Sequence, residues 1–283
     1  MDSSYRSTAA AIQETHVSAG TIALWWLGQA SFVLRSANST LFIDPFLSPG
    51  SDRLVPPPFT AEESPAVDYV LCTHEHIDHL DLPACVTLAR RFPQTRFIVP
   101  RPIVEQLTVQ GIAEERIQGV QPGEELSLGV ARLFPVPAMH GLSCPPARYD
   151  FGFEQSGGLY RYLGYVLELE GIHIYHPGDT LVFDGLVEQL RSFDLDIALL
   201  PINGRSYFRE QKNLVGNMDE REAADLAAAA GVKLLIPTHY DMFAANLGRP
   251  GLLIEYVRTV YPQLSCYVPA HGRRFTFTRG DAR

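Results

Sequence analysis

Three of the nine histidines fall within six residues, in the stretch "THEHIDHLD" at 73–81, directly behind the short apolar run "YVLC". Imidazole nitrogens and carboxylate oxygens are the donors that divalent transition metals take, so the clustering points first to a metal site. His74 and His76 stand two apart, which aims both rings to one side of an extended chain, while Asp78 and His79 lie on the turn that follows. Farther along, His140, Asp179 and His239 each come just behind another apolar run, "FPVPAM", "IYHPG" and "LLIPT". Ligands gather outside the carboxyl ends of strands in α/β sheets, so four such endings can converge on one place.

Seven donors are too many for one catalytic zinc, which commonly takes three protein ligands and keeps a position open for water. The natural division gives His74, His76 and His140 to one cation and Asp78, His79 and His239 to another, with Asp179 bridging. Paired cations ~3.5–4 Å apart are typical of hydrolytic sites, and metal binding can lower the pKa of water from ~15.7 to ~7. No serine or cysteine nucleophile is then needed. Asp78 is the residue expected to position the attacking water, with Asp241 a weaker candidate for moving protons. His176, three residues before Asp179, and Asp44, at the end of "FID", are expected to orient ligands from behind. His271 in "PAHG" ends a further apolar run and competes with His239 for the second cation. Cys144 follows His140 by four residues, but a histidine committed to a metal cannot serve as its base, and a cysteine nucleophile is set aside.

The elements that must carry these residues read as two β-rich halves, each finished with helices. Residues 21–47 hold two or three strands and a stop at Pro45; residues 48–66 are too rich in proline, serine and glycine to be regular and form a loop near the site. The spacing of Leu82, Val86, Leu88, Ala89 and Phe92 predicts a helix over 82–92. A short strand at 96–100 and a helix over 102–111 follow. The chain then returns to strands up to residue 138, and 141–158 form a second irregular loop. A hairpin turning at Glu170 and Gly171 opens the second half. Strands at 196–202 and 233–238 alternate with helices, one of them opened by a capping box at Asp219 and Glu222. Residues 1–20 are a polar leader and a candidate for disorder, and 21–283 form one domain of two packed sheets with helices outside.

Composition narrows the function. Lys and Arg number 23 against 32 Asp and Glu, a net charge of -9, and no basic block is present, which counts against a nucleic-acid partner. No apolar run approaches the ~20 residues of a membrane-spanning helix, so no membrane partner is expected and a cytoplasmic location is. The four cysteines show no CxxC spacing, which suits reduced thiols.

"THEHIDHLD", His140, "GDT" and "THYDMF" together resemble the metallo-β-lactamase fold, and the resemblance covers residues 24–272. It implies an α+β, αββα sandwich of two mixed sheets with one or two metals at one edge. "LPINGRSYFREQKNLVGNMDEREAADLA" and "IPTHYDMF" resemble the L-ascorbate-6-phosphate lactonase family within that superfamily. That likeness implies a small, phosphorylated, lactone-like substrate, a divalent cofactor (Mn²⁺ or Zn²⁺, with Fe²⁺ also accepted by such donors) and a homo-oligomer. A phosphate handle needs cations near the mouth, and the loop after Ile202 offers Asn203, Arg205 and Arg209 as substrate contacts. The alternatives are a phosphodiesterase or nuclease using the same metals, and a non-catalytic metal-binding protein.

Overall fold

The computed structural model describes residues 7–50, 52–141, 153, 155–212 and 214–279. A first sheet starts with β1 (Thr21–Gly28), β2 (Ser31–Arg35) and β3 (Thr40–Ile43), then takes β4 (Tyr69–Leu71), β5 (Arg96–Pro100) and β6 (Ile117–Val120). The second sheet begins with β7 (Leu126–Leu128) and β8 (Ala131–Pro137). A small separate hairpin of β9 (Gln155–Ser156) and β10 (Leu159–Tyr160) intervenes. β11 (Leu163–Leu169), β12 (Ile172–His176), β13 (Ile197–Pro201), β14 (Leu234–Thr238) and β15 (Ser265–Cys266) complete that sheet, and β16 (Arg274–Thr278) returns to pair with β1. The strand orders are β16-β1-β2-β3-β4-β5-β6 and β15-β14-β13-β12-β11-β8-β7. Each sheet is antiparallel at one side and parallel at the other.

The alternation of β1 shows why two sheets pack and why both outer faces need helices. Ile22, Leu24 and Trp26 point to the core between the sheets, where they meet Leu133, Leu167, Ile197 and Ile236. Ala23, Trp25 and Leu27 point the other way, under α2 (Leu82–Arg91) and α3 (Val104–Thr108). On the far side, α4 (Leu186–Arg191), α6 (Glu220–Ala229) and α7 (Pro250–Val260) cover the second sheet. A strand buried on both faces reads as a nearly unbroken apolar run, as "TIALWWL" does. The result is the expected αββα sandwich.

Two readings change. The leader is not without structure: residues 8–14 form α1 (Thr8–Glu14), capped by the Ser7 hydroxyl, and Ala9 and Ile12 enter the core under the first sheet. Its apolar positions are too few to show a helical period in the sequence. The 203–212 loop contains a short α5 (Tyr207–Glu210), too brief to leave a periodic signal. The hairpin turns as expected, with Glu170 at φ 56° and Gly171 at φ 74°. The capping box at Asp219 and Glu222 is present, both hydrogen bonds made. Most of the 141–158 loop, Cys144 included, lies outside the described residues.

Candidate metal centre

Strand ends from both sheets meet at one edge of the sandwich. β4 delivers His74, His76, Asp78 and His79, and β3 delivers Asp44 beside them. From the second sheet come His140 after β8, Asp179 after β12 and His239 after β14. Because parallel neighbours in each sheet run the same way, their carboxyl ends open on the same side.

The donors fall into two sets joined by one carboxylate. His76 Nδ1 lies 3.1 Å from His74 Nε2 and 3.1 Å from His140 Nε2. His79 Nε2 stands 3.6 Å from Asp78 Oδ2, and His239 Nε2 stands 3.4 Å from the same oxygen. Asp179 spans the two: Oδ1 is 3.2 Å from both His79 Nε2 and His239 Nε2, and Oδ2 is 3.5 Å from His140 Nε2. These triads are also the groups whose donor atoms all lie within 4.8 Å of one another, and His74 with His79 and Asp179 forms a third such group across the divide.

Whether a cation fits can be read from atoms left without partners. His79 Nε2 and Asp179 Oδ1 are buried, and neither makes a hydrogen bond although they face each other. With the His79 proton on Nδ1, the Nε2 lone pair and the carboxylate oxygen face each other across a gap, an arrangement costly unless a cation or a second proton sits there. With bonds of about 2.0–2.2 Å, tetrahedral coordination places donors ~3.3–3.6 Å apart, close to the 3.1–3.6 Å separations found here. The residues fit one or two divalent ions.

Behind the donors, Asp44 fixes two rings at once. Its Oδ1 accepts the Thr73 N–H at 2.8 Å; its Oδ2 accepts the Thr73 hydroxyl at 2.8 Å and faces His79 Nδ1 at 2.7 Å. A proton on His79 Nδ1 leaves Nε2 free to face the cluster, the carboxylate–histidine arrangement usual around metals. Thr73 Oγ1 lies 3.1 Å from His74 Nδ1, so the same carboxylate orients His74 through the hydroxyl. His176 Nε2 donates to the Ala30 carbonyl at 2.7 Å, and its Nδ1 accepts the Gly178 N–H at 3.2 Å. It thereby ties the β1–β2 turn to the loop that presents Asp179. Asp44 and His176 thus lie behind the donor cluster, each hydrogen-bonded to segments that carry its residues. Asp44 at φ 45° and His239 at φ 56° hold left-handed conformations rare outside glycine, a strain that clusters at functional sites.

Without a cation the two sets carry different charge. Burial pushes His74 well below the ordinary imidazole range, reinforced by His79, His76 and His140, and it pushes His140 down to about 3. Burial also opposes a charge on His79 and His239. There, however, Asp179 and Asp78 more than compensate, raising His79 well above the usual range and His239 to about 9. Reciprocally, burial disfavours charge on Asp78 and Asp179, yet His79 and His239 hold both carboxyls below the ordinary range.

The expected substrate contacts sit differently. Asn203 is buried and its amide is shared between Asn246 and Asn217; Arg205 pairs with both oxygens of Glu222 at 2.8 and 2.9 Å. Arg209 donates to the carbonyls of Asn203, Gly204 and Ala245. These side chains brace the loop instead of projecting free donors. The 48–66 loop lies against the segment that follows His239, where the Leu54 N–H donates to the Met242 carbonyl at 2.8 Å. His271 donates to the Leu27 carbonyl at 2.7 Å and belongs to none of the donor groups found among the described residues, so the second set takes His239.

Three residues escaped the sequence reading. Thr73 immediately precedes the histidine cluster and was overlooked because a hydroxyl is not a first-choice metal donor. Tyr162 packs its buried ring edge-on against His74 and His140, with centroids at 5.5 and 5.0 Å. Gln29 follows the apolar run of β1, so the rule that found His74 and His239 would have found it too had it been applied there.

The beta-lactamase superfamily domain profile matches residues 39–240. A metal-dependent hydrolase of Myxococcus xanthus is 29% identical over 255 residues, covering 88% of this chain and 80% of its own. A probable L-ascorbate-6-phosphate lactonase of Shigella boydii is 24% identical over 264 residues, covering 82% and 73%. Among solved structures, a metallo hydrolase of Ignicoccus hospitalis superposes with a TM-score of 0.69 at 22% identity, covering 92% of this chain and 100% of its own. An isothiocyanate hydrolase from Delia radicum gut bacteria gives 0.71 at 21%, covering 90% and 99%. The chain belongs to the beta-lactamase superfamily, and its place is among the metal-dependent hydrolases of the metallo-β-lactamase fold.

Proposed function

We propose that the chain opens a small phosphorylated, sugar-derived lactone of the L-ascorbate 6-phosphate kind, using one or two divalent cations. The observation that carries the hydrolytic reading is Asp179, whose two oxygens face two separate donor sets at one buried edge. Bound cations would supply Lewis acidity toward the ester carbonyl and a water of lowered pKa. Asp78, held ionised by His79 and His239, can accept a hydrogen bond from the attacking water and so orient it. Water adds to the carbonyl carbon, the ring C–O bond breaks, and the products are a carboxylate, a hydroxyl group and one proton. The lactone is supported by likeness to the Shigella boydii relative.

The phosphate handle requires Arg205 or Arg209 to exchange a contact within the loop for one with substrate. Arg205→Ala would then raise KM for the phosphorylated lactone more than for its unphosphorylated counterpart; equal effects would remove the phosphate from the proposal. The deciding experiment is elemental analysis of the purified protein, followed by hydrolysis of L-ascorbate 6-phosphate after reconstitution with Mn²⁺ or Zn²⁺. Ring opening with bound metal supports the proposal. Bound metal without ring opening sends the search to other esters, phosphodiesters and isothiocyanates. A folded chain that binds no metal sinks it.

A further inference from the structure

The turn between β1 and β2 sets a side chain against the second donor set without adding a ligand to it. Gln29 is buried and left-handed, at φ 53°, where a glycine would sit at no steric cost. A side chain kept there under strain points to a role for it. Its backbone is fastened on both sides: the N–H donates to Asp241 Oδ1 at 2.8 Å, and the carbonyl accepts from the His239 N–H at 2.9 Å and Trp26 Nε1 at 3.0 Å. A turn of the first sheet is thereby locked to the loop of the second that presents His239.

From that anchor the side chain makes two contacts. The amide nitrogen stands 2.9 and 3.3 Å from the two ring nitrogens of His239. Such near-equal distances place it over the ring face and off the in-plane lone pairs, so it takes nothing from the Nε2 that faces the cluster. Its hydrogen-bond acceptor is Asp78 Oδ2, at 2.8 Å. That partner fixes which end of the amide is nitrogen, since an ionised carboxylate only accepts. One amide therefore tethers a carboxylate that follows β4 and covers an imidazole that follows β14, donors whose facing atoms are 3.4 Å apart. Asp78 is also less enclosed than its partners, at 14% side-chain exposure against 0% for His79 and 3% for His239, and a charge-assisted bond holds it in one orientation.

We propose that Gln29 is a positioning residue for the second cation: its amide holds Asp78 Oδ2 toward the cluster and packs on the His239 ring, setting the spacing between one donor from each sheet. Gln29 itself binds no metal. The inference rests on the reading that these residues take a divalent ion.

Cobalt(II) titrated into the metal-free protein tests this, since its visible absorption reports the donors around it and competition with a chromogenic chelator gives its affinity. Gln29→Met fills the space without a donor. Gln29→Asn, a residue tolerant of positive φ, stops one methylene short of Asp78 and keeps the test open if the methionine variant does not fold. In both, one equivalent should keep its wild-type affinity and spectrum, while the other binds about 10–100-fold more weakly with an altered spectrum. Asp78→Ala separates this from damage to the turn, because His79, His239 and Asp179 still offer three donors. In that background either substitution at Gln29 should cost less than about twofold further, whereas a turn that merely scaffolds His239 would lose the full factor again. That second loss, or unchanged binding in both single variants, overturns the role of Gln29 and leaves the metal reading standing. A folded wild type that takes up no cobalt overturns both.

Discussion

His140 and His79 are equally buried, at 1% and 0% exposure, yet their proton affinities move in opposite directions. His140 belongs to a set made of imidazoles packed against the Tyr162 ring, where burial outweighs the pull of Asp179 toward a positive charge. His79 stands among Asp44, Asp78 and Asp179. Burial alone therefore does not decide the state of these histidines: it wins at His140 and His76, and the carboxylates around His79 outweigh it there. One half of the cluster holds neutral donors ready for a cation, and the other holds imidazolium–carboxylate pairs that must give up protons first.

The comparison breaks most completely at the residue the halves share. Asp179→Asn keeps the shape but weakens the charge between them, and both sets should lose affinity, with turnover falling more than ~100-fold. Elemental analysis showing two metals retained at full occupancy would mean that Asp179 does not bridge. Asp44→Asn acts from behind on both halves, through His79 directly and His74 by way of Thr73. Calorimetric titration should show both equivalents weakened by about 10–100-fold. An effect confined to one equivalent would limit Asp44 to His79.

pH separates the halves. At pH 7 the metal-free chain holds His239, raised to about 9, as imidazolium, and His79 likewise, while His74 and His140 are neutral. A cation entering the second set must expel protons, so its affinity should climb with pH until about 9. The first set should load at pH 7 with little proton release. Calorimetry in buffers of different ionisation enthalpy measures the proton count for each equivalent, and equal counts would contradict the assignment. The smallest expected effect is on stability. Gly178 at φ 63° would place a Cβ 2.6 Å from Thr73 Oγ1. Gly178→Ala should cost about 1–3 kcal/mol in urea denaturation and disturb His74 through Thr73. Unchanged stability would show that the loop has room to shift.

The donors were legible because metal chemistry restricts them to a few residue types and because strand ends announce themselves as the close of apolar runs. His74, His140, Asp179 and His239 all obey that rule. Gln29 obeys it too, and its amide nitrogen reaches Asp78 Oδ2 at 2.8 Å, but an amide is not among the residue types that a search for metal donors picks out. The supporting bonds of Asp44 and His176 could be placed only loosely, since nothing in sequence spacing says that "LFI" and "YVL" run side by side as parallel strands, whose ends bring Asp44 to Thr73. Arg205 and Arg209 show the converse failure. Their types fit phosphate, and only folding shows that Glu222 and the backbone carbonyls of Asn203, Gly204 and Ala245 already occupy them.

By itself, then, the sequence determined the layers and the chemical kind of site, because alternation along strands and the donor set of a divalent metal are local properties of residue type and spacing. Tertiary structure alone decided the pairing of β16 with β1, the grouping of donors around Asp179, and which imidazoles carry protons. Those depend on distances of a few ångströms between residues far apart in the chain, and charge interactions at such distances change with every partner that folding brings near.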